Sequence, residues 1–172
     1  MTDNLIYTTL NNIMDLCSTS QKAYYEQILK DLKPVEVVPI SEVFTQEEID
    51  IIKKSIRPQP KECYRNATVL TQYFRGNHTI EYVEGYSYSI WPIEHAFNKV
   101  DGKYVDITYE LALGLDVTKG EYASILEVST QEIWKYTISE RYYGEYYQHK
   151  YIKKLKQDGR RSNKASKGEG DI

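Results

Sequence analysis

Residues 92–110, PIEHAFNKVDGKYVDITYE, predict a β-hairpin that turns at Asp101-Gly102. Asp-Gly is a preferred pair for a two-residue type I′ turn, because both of its positions need a positive φ angle. This turn places His95 opposite about Thr108, so that Asp106 becomes its diagonal neighbour on one face of the sheet. A hairpin needs neither group in order to fold. The pattern therefore indicates a catalytic role for His95 and Asp106.

A third residue, Cys63, has the surroundings that a thiol nucleophile needs. The segment ECYRNATVLTQYF (62–74) predicts a helix with Cys63 in its first turn, directly after the extended Pro-Gln-Pro of residues 58–60. Unpaired N–H groups at a helix N-terminus favour a thiolate and can also bind the oxyanion of a tetrahedral intermediate. We therefore predict Cys63 as nucleophile, His95 as base and Asp106 as the residue that orients the imidazole.

The first third of the chain is predicted to be helical. Apolar residues recur at helical spacing over 3–16 and 19–32, the stretch 35–40 is extended, and Thr45 with Glu48 forms a capping box for a further helix. Helices precede strands along the chain, which is typical of the α+β class.

The period of the apolar residues changes to two after the cysteine helix. Strands are predicted at 79–90, with Gly85 as a bulge, and at 122–128, and helices after Ser129 and over 145–157. We expect the cysteine helix to pack on this antiparallel sheet within one domain, residues 1–157. Residues 158–172, which are basic and nearly free of apolar side chains, are expected to form a flexible tail.

The composition argues against several classes of protein. The chain of 172 residues has a net charge of −3, and no apolar run long enough to cross a bilayer. It lacks a signal-peptide pattern and has two cysteines, which together predict a cytoplasmic protein without disulfides. No metal-binding motif is present, so we expect no metal and no cofactor. The acidic body disfavours nucleic-acid binding except through the basic tail.

Four short segments resemble the transglutaminase-like branch of the papain-like cysteine enzymes. They are ECYRNA (62–67), YVEGYSYS (82–89), IEHAFN (93–98) and YVDITY (104–109). In that family a cysteine at a helix start is followed by a histidine in an HAW-like strand and an aspartate in a DPT-like strand. Here Phe97 and Ile107 replace the usual tryptophan and proline. The resemblance implies a papain-like core and an acyl-thioenzyme, and it also implies a bacterial or phage origin, with the host cytoplasm as location for a phage protein.

Other residues near these segments are candidates for contacts with the substrate. Gln59 is a candidate for the oxyanion hole, and Tyr64, Glu94 and Trp91 are candidates for oxyanion or substrate contacts. Either Glu84 or Glu94 could contact a cationic substrate, but a solvated strand face is the favoured interpretation of both. We expect Cys17 to be an inert core residue. We expect His78, in a turn, to be exposed.

Two classes of function follow. The first is a thiol-dependent amide-bond enzyme, by default a hydrolase, that acts on a protein or a small amide; protease, isopeptidase, deamidase and acyltransferase share its acyl-enzyme step. The alternative is a non-catalytic binding or inhibitor protein on the same scaffold, such as a phage protein that targets a host factor. A nucleic-acid-associated protein that uses the basic tail is a third interpretation. The sequence does not determine the oligomeric state.

Overall fold

The computed structural model describes residues 4–165. Its α-helices are, in chain order, α1 (Leu5–Asp15), α2 (Thr19–Asp31), α3 (Gln46–Ile51), α4 (Cys63–Leu70), α5 (Thr130–Glu140) and α6 (Tyr146–Ala165). The strands are β1 (Lys33–Val35), β2 (Ile80–Tyr88), β3 (Pro92–Val100), β4 (Lys103–Val105) and β5 (Glu121–Ser129). They form an antiparallel sheet in the order β1-β5-β2-β3-β4, which confirms the predicted α+β class.

Side-chain caps start two of the helices where the sequence predicts them. The Thr45 hydroxyl accepts a hydrogen bond from the Glu48 N–H at 3.3 Å, and the Glu48 carboxylate accepts one from the Thr45 N–H at 2.9 Å. This capping box begins α3, which continues as a π-helical turn over Ile52–Ile56. Ser129 caps α5 in a similar way, since its hydroxyl accepts the Glu132 N–H at 3.2 Å.

The predicted hairpin between β3 and β4 forms, but β4 is shorter than expected. Asp101 and Gly102 both have positive φ angles, 50° and 87°, as a type I′ turn requires. The ladder with β3 ends at Asn98↔Val105, so the expected pairing of His95 with about Thr108 is wrong; His95 pairs with Gly85 of β2 instead. Beyond Val105 the chain turns into a π-helical segment, Thr108–Ala112, and leaves the sheet.

Gly85 occupies the predicted bulge and brings two strands unusually close. The register between β2 and β5 shifts between Glu84 and Gly85. A Cβ atom at position 85 would collide with the carbonyl oxygen of Ala123 on β5. Only glycine fits this close approach of two backbones.

The sheet separates two apolar layers. On one face α4 packs on β2 and β3, where Ala67 meets Tyr82 and Ala96. The N-terminal helices α1 and α2 bury Ile6, Leu10 and Ile28 against Tyr86 and Ala123. On the opposite face lies a layer called here the aromatic layer, in which the rings of Phe97 and Tyr122 pack with Val83 and Val117.

Several predicted boundaries move in the structure. Helix α4 ends at Leu70, so Phe74, which has a φ angle of 57°, is no longer part of it. Helix α6 continues past the expected boundary at residue 157 to Ala165. The rest of the predicted flexible tail, residues 166–172, lies outside the described residues. Within residues 4–165 no helix is both long enough and apolar enough to span a membrane.

Two side chains occupy surroundings other than those expected. Cys17 follows the end of α1 and is only half-buried, so it is not a core residue. The His78 side chain is 13% exposed rather than solvated, because Nδ1 lies 2.6 Å from Asp101 Oδ2 and Nε2 lies 3.2 Å from Glu48 Oε1. Through these contacts His78 joins the β3–β4 turn to α3.

Candidate active site

The structure brings His95 and Asp106 together in the interior. His95 Nε2 lies 2.7 Å from Asp106 Oδ2, and the side chains are 3% and 0% exposed. The contact does not arise from diagonal strand neighbours, since β4 has already ended at Val105. It arises because Asp106 is the first residue after the strand and its side chain points back toward β3.

The Asp106 carboxylate is fully hydrogen-bonded by its own turn and by a distant strand. Oδ1 accepts the N–H groups of Thr108 at 2.9 Å and Tyr109 at 3.1 Å, which bends the backbone into the π-helical segment. Oδ2 accepts the Tyr122 hydroxyl at 3.1 Å in addition to its contact with His95. Such bonding keeps a buried carboxyl group in place at low free-energy cost.

Aromatic rings enclose the His95 imidazole. The Tyr109 ring lies nearest, with its centroid 4.3 Å from that of the imidazole, and its hydroxyl lies 2.8 Å from Ser87 Oγ. Phe97 and Tyr122 follow at 6.3 and 6.4 Å. These rings restrict rotation of the imidazole, so its orientation is preset. Tyr109 and Tyr122 also line a cleft of about 360 Å³ on the far side of these rings, a volume in the range of small-molecule sites.

Cys63 is the first residue of α4, as predicted, and it is half-buried. It lies near His95, because its thiol contributes to the raised pKa of the imidazole. Nε2 of the imidazole contacts Asp106, so Nδ1 is the nitrogen available to a nearby thiol. The structure thus joins His95 to Asp106 and places Cys63 in their neighbourhood.

The charge state of His95 reflects these partners. Burial alone would lower the pKa of His95, but the charge and hydrogen bond of Asp106 outweigh burial. The hydrogen bond and charge of Cys63 act in the same direction, so the pKa of His95 is raised well above its usual value. A basic imidazole beside a thiol favours transfer of the thiol proton to nitrogen.

Gln59 lies next to the nucleophile in sequence, but its side chain is already bonded. The Gln59 amide donates to the carbonyl oxygen of Arg57 at 3.1 Å and is exposed. The role of Gln59 in the oxyanion hole stays a prediction. The first-turn N–H groups of α4, which have no acceptor within the helix, are the donors nearest to Cys63 in the chain.

Tyr64 and Glu94 lie beside a closed acidic region rather than an open pocket. Burial and then the charge of Glu84 raise the pKa of Tyr64. Desolvation of its carboxyl raises the pKa of Glu94, and Glu145 adds to this, against a hydrogen bond donated by Tyr86 at 3.3 Å. The cavity between these groups has about 10 Å³, barely the space of one water molecule. It offers no preformed room for a substrate side chain.

Trp91 and Glu84 differ in their exposure to solvent. Trp91 is 57% exposed at the tip of the β2–β3 hairpin, between the exposed Ile90 and Ile93. Glu84, in contrast, is 4% exposed, so the interpretation of a solvated strand face is wrong for it. Its carboxylate accepts the N–H groups of Tyr146 and Tyr147, the first residues of α6, at 2.7 and 2.8 Å.

Sequence reasoning missed two residues that build the site. Asn66, which is 0% exposed, donates to Gln59 O at 2.8 Å and to Thr108 Oγ1 at 3.1 Å, so it ties the cysteine helix to the turn after Asp106. Tyr122 reaches Asp106 from β5. Asn66 one turn after Cys63, on the buried side of a helix, was a detectable signal; nothing in the sequence separated Tyr122 from the sixteen other tyrosines.

Among the described side chains no group of three or more His, Cys, Asp or Glu residues is arranged to hold a metal ion. Comparisons with protein-family models, curated proteins and solved structures found no match to this chain.

Proposed function

We propose that this protein is a thiol-dependent amide-bond enzyme, by default a hydrolase. The observation that supports it is the buried His95–Asp106 pair, with Cys63, at the start of α4, near enough to raise the pKa of the imidazole. A buried imidazole and carboxylate need a compensating role, since they stabilise a fold less well than apolar residues of similar size. A thiol in contact with such a pair is equipped for nucleophilic catalysis.

The mechanism follows from the two nitrogens of His95. Nδ1 takes the thiol proton, and the Cys63 sulfur attacks the carbonyl carbon of an amide or ester, forming a C–S bond. First-turn N–H groups of α4 stabilise the oxyanion. The imidazolium gives its proton to the leaving amine as the C–N bond breaks, and water, activated by His95, then hydrolyses the thioester. Asp106 holds the imidazole and its positive charge throughout.

The transglutaminase-like relationship is part of the same proposal. The order of nucleophile helix, histidine strand and aspartate along one antiparallel sheet supports a papain-like core. Water, an amine of a protein or a small amine could each resolve the acyl-enzyme, so protease, isopeptidase, deamidase and acyltransferase belong to one class here. The proposed location, the cytoplasm, rests on the two free thiols.

A second candidate function is a binding protein on the same scaffold. The exposed apolar tip of the β2–β3 hairpin favours it, with Ile90, Trp91 and Ile93 exposed by 89%, 57% and 56%. Exposed apolar patches often mark surfaces that bind other proteins. The two functions differ in what they require of the thiol, because a binding protein has no need of a reactive Cys63.

Alkylation by iodoacetamide at pH 6.5, followed residue by residue with mass spectrometry, tests the enzyme. Cys63 and Cys17 are both half-buried, so Cys17 is an internal reference for access. We expect Cys63 to react at least about tenfold faster than Cys17 in the folded chain, and at the same rate in urea. His95→Ala should abolish the difference. Turnover of an amide and ester library should vanish in Cys63→Ala and persist in Cys17→Ala; equal alkylation rates in the folded chain contradict the proposal.

A further inference from the structure

The Tyr122 hydroxyl and the His95 imidazole contact the same carboxylate oxygen of Asp106. The hydroxyl donates to Asp106 Oδ2 at 3.1 Å, and His95 Nε2 lies 2.7 Å from the same atom. Tyr122 is 3% exposed and is the second residue of β5, which is separated from β3 by β2. The contact is therefore made across the sheet rather than along the chain.

The register of the sheet explains how Tyr122 reaches the site. Tyr122 pairs with Ser87 of β2, and His95 pairs with Gly85, so all four positions face the same side. Gly85 has no side chain on this face, and its backbone lies against that of Ala123 on β5. The Tyr122 ring packs edge-on against Phe97, at 5.5 Å and 70°, which holds the hydroxyl in position before any substrate binds.

The two oxygens of Asp106 are constrained differently. Oδ1 is held by two backbone N–H groups of its own turn, those of Thr108 and Tyr109. Within residues 4–165, Oδ2 is held by Tyr122 and by the imidazole that it orients. If the hydroxyl is removed, the angle of the carboxylate and hence of the imidazole is set by the Asp106 turn only.

The geometry points to Tyr122 as a positioning residue that holds Asp106 Oδ2 against His95. Its hydrogen bond to Oδ2 also weakens the attraction between the Asp106 carboxylate and a protonated imidazole. As far as turnover is concerned, this inference rests on the proposed function. The groups that face the pair are Cys63 from α4, Tyr109 from the π-helical segment and Glu110, which adds negative charge near Asp106. A donated hydrogen bond draws charge from a carboxylate, so its loss strengthens the attraction of Asp106 for a protonated imidazole.

Tyr122→Phe removes the hydroxyl and keeps the ring, so the aromatic layer stays packed. Tyr104→Phe is the matched control. Tyr104 also packs edge-on against Phe97, at 6.0 Å, and its hydroxyl also donates to a carboxylate, that of Glu127, at 2.7 Å. The two variants lose the same type of bond in the same layer, but only one of these bonds reaches Asp106.

The first measurement is an NMR titration of the His95 imidazole, made in the Cys63→Ser background so that it does not depend on turnover. Tyr122→Phe should raise the midpoint by about 0.5 pH units or more, the equivalent of one hydrogen bond, and Tyr104→Phe should leave it unchanged. An unchanged midpoint in Tyr122→Phe, or an equal shift in both variants, overturns the inference.

The second measurement is made with Cys63 present. Tyr122→Phe should raise the rate of Cys63 alkylation at pH 6.5 by about threefold, because a more basic imidazole favours the thiolate, and Tyr104→Phe should not change this rate. One result separates the two proposals: the midpoint shifts in Tyr122→Phe, but Cys63 is alkylated equally slowly in the wild type and in both variants. This result contradicts the proposed enzyme and supports the role of Tyr122. If Cys63 is alkylated faster than Cys17 in the wild type but the His95 midpoint does not shift in Tyr122→Phe, the proposed enzyme is supported and the role of Tyr122 is contradicted.

Discussion

His95 Nε2 and Asp106 Oδ2 lie 2.7 Å apart, with 3% and 0% of their side chains exposed. The pair is far enough from water that its charges are weakly screened. It is also supported on all sides, by two backbone N–H groups, the Tyr122 hydroxyl and the Tyr109 ring. A buried pair with this much support holds one orientation, which is what a general base requires.

Asp106→Asn should lower turnover and leave the fold intact. The oxygen of the new amide can keep the N–H groups of Thr108 and Tyr109, which directs the amide NH₂ toward His95. The imidazole then accepts at Nε2 and carries its proton on Nδ1, the nitrogen that must take the thiol proton. We expect turnover to fall by about 10⁴-fold, less than in His95→Ala or Cys63→Ala. A variant as inactive as Cys63→Ala, with an unchanged circular-dichroism spectrum, contradicts this ranking.

Thr108→Val should weaken the link between the cysteine helix and the Asp106 turn. It removes the oxygen that accepts the Asn66 amide at 3.1 Å and preserves the shape of the side chain. We expect a loss of about 1 kcal/mol in the free energy of unfolding and slower alkylation of Cys63, with recovery of both in Thr108→Ser. Thr130→Val is the control, because its hydroxyl bonds Thr71 O and Ile80 O away from the site. Equal slowing of alkylation in the control would show a general loss of stability instead.

Gly85→Ala should destabilise the sheet strongly. The new Cβ would meet the Ala123 carbonyl, a backbone atom that cannot move aside as a side chain can. We expect a loss of about 3 kcal/mol in the free energy of unfolding, measured with urea. Gly76→Ala, where no atom lies within 4 Å of the new Cβ, is the control and should change stability little. A small loss at position 85 would mean that β2 and β5 separate there without difficulty.

Glu84 should make stability fall as the pH rises between about 4.5 and about 7. Burial raises the pKa of Glu84 from 4.5 to about 7, although the bonds from Tyr82, Tyr147 and Tyr146 lower it. Since the folded chain holds this proton more tightly than the unfolded chain, its contribution is complete below about 4.5 and is lost as the pH rises through about 7. The difference in unfolding free energy between wild type and Glu84→Gln should therefore fall by on the order of 3 kcal/mol across this window.

The exposed Glu26 provides the control for that titration. Glu26→Gln makes the same chemical change at an exposed position of α2 and controls for the loss of a carboxylate as such. Urea unfolding of the three proteins at pH 4.5, 6 and 8 is sufficient. If the difference for Glu84→Gln does not change with pH, the carboxyl of Glu84 is ionised in the folded protein throughout this range.

The local parts of this protein could be predicted because they depend on neighbours in the chain. The Thr45–Glu48 box, the Ser129 cap and the Asp101-Gly102 turn form where their residue types favour them. The bulge at Gly85 and the start of α4 at Cys63 follow for the same reason. The order of Cys63, His95 and Asp106 along the chain, and the helix and strand that hold Cys63 and His95, were likewise predicted from the sequence alone.

What only the tertiary structure decided is how side chains distant in sequence satisfy one another. Strand β4 ends before Asp106 because the Asp106 carboxylate accepts hydrogen bonds from the backbone N–H groups that follow it and also contacts His95. Strand propensity alone does not predict this end. Glu84 is buried because α6, more than sixty residues later, offers it the two N–H groups at its start. Tyr122 reaches Asp106 because its pairing with Ser87 of β2 puts it on the same face of the sheet as His95. Each case depends on a buried polar group finding its partner, and partners at that separation are set by packing.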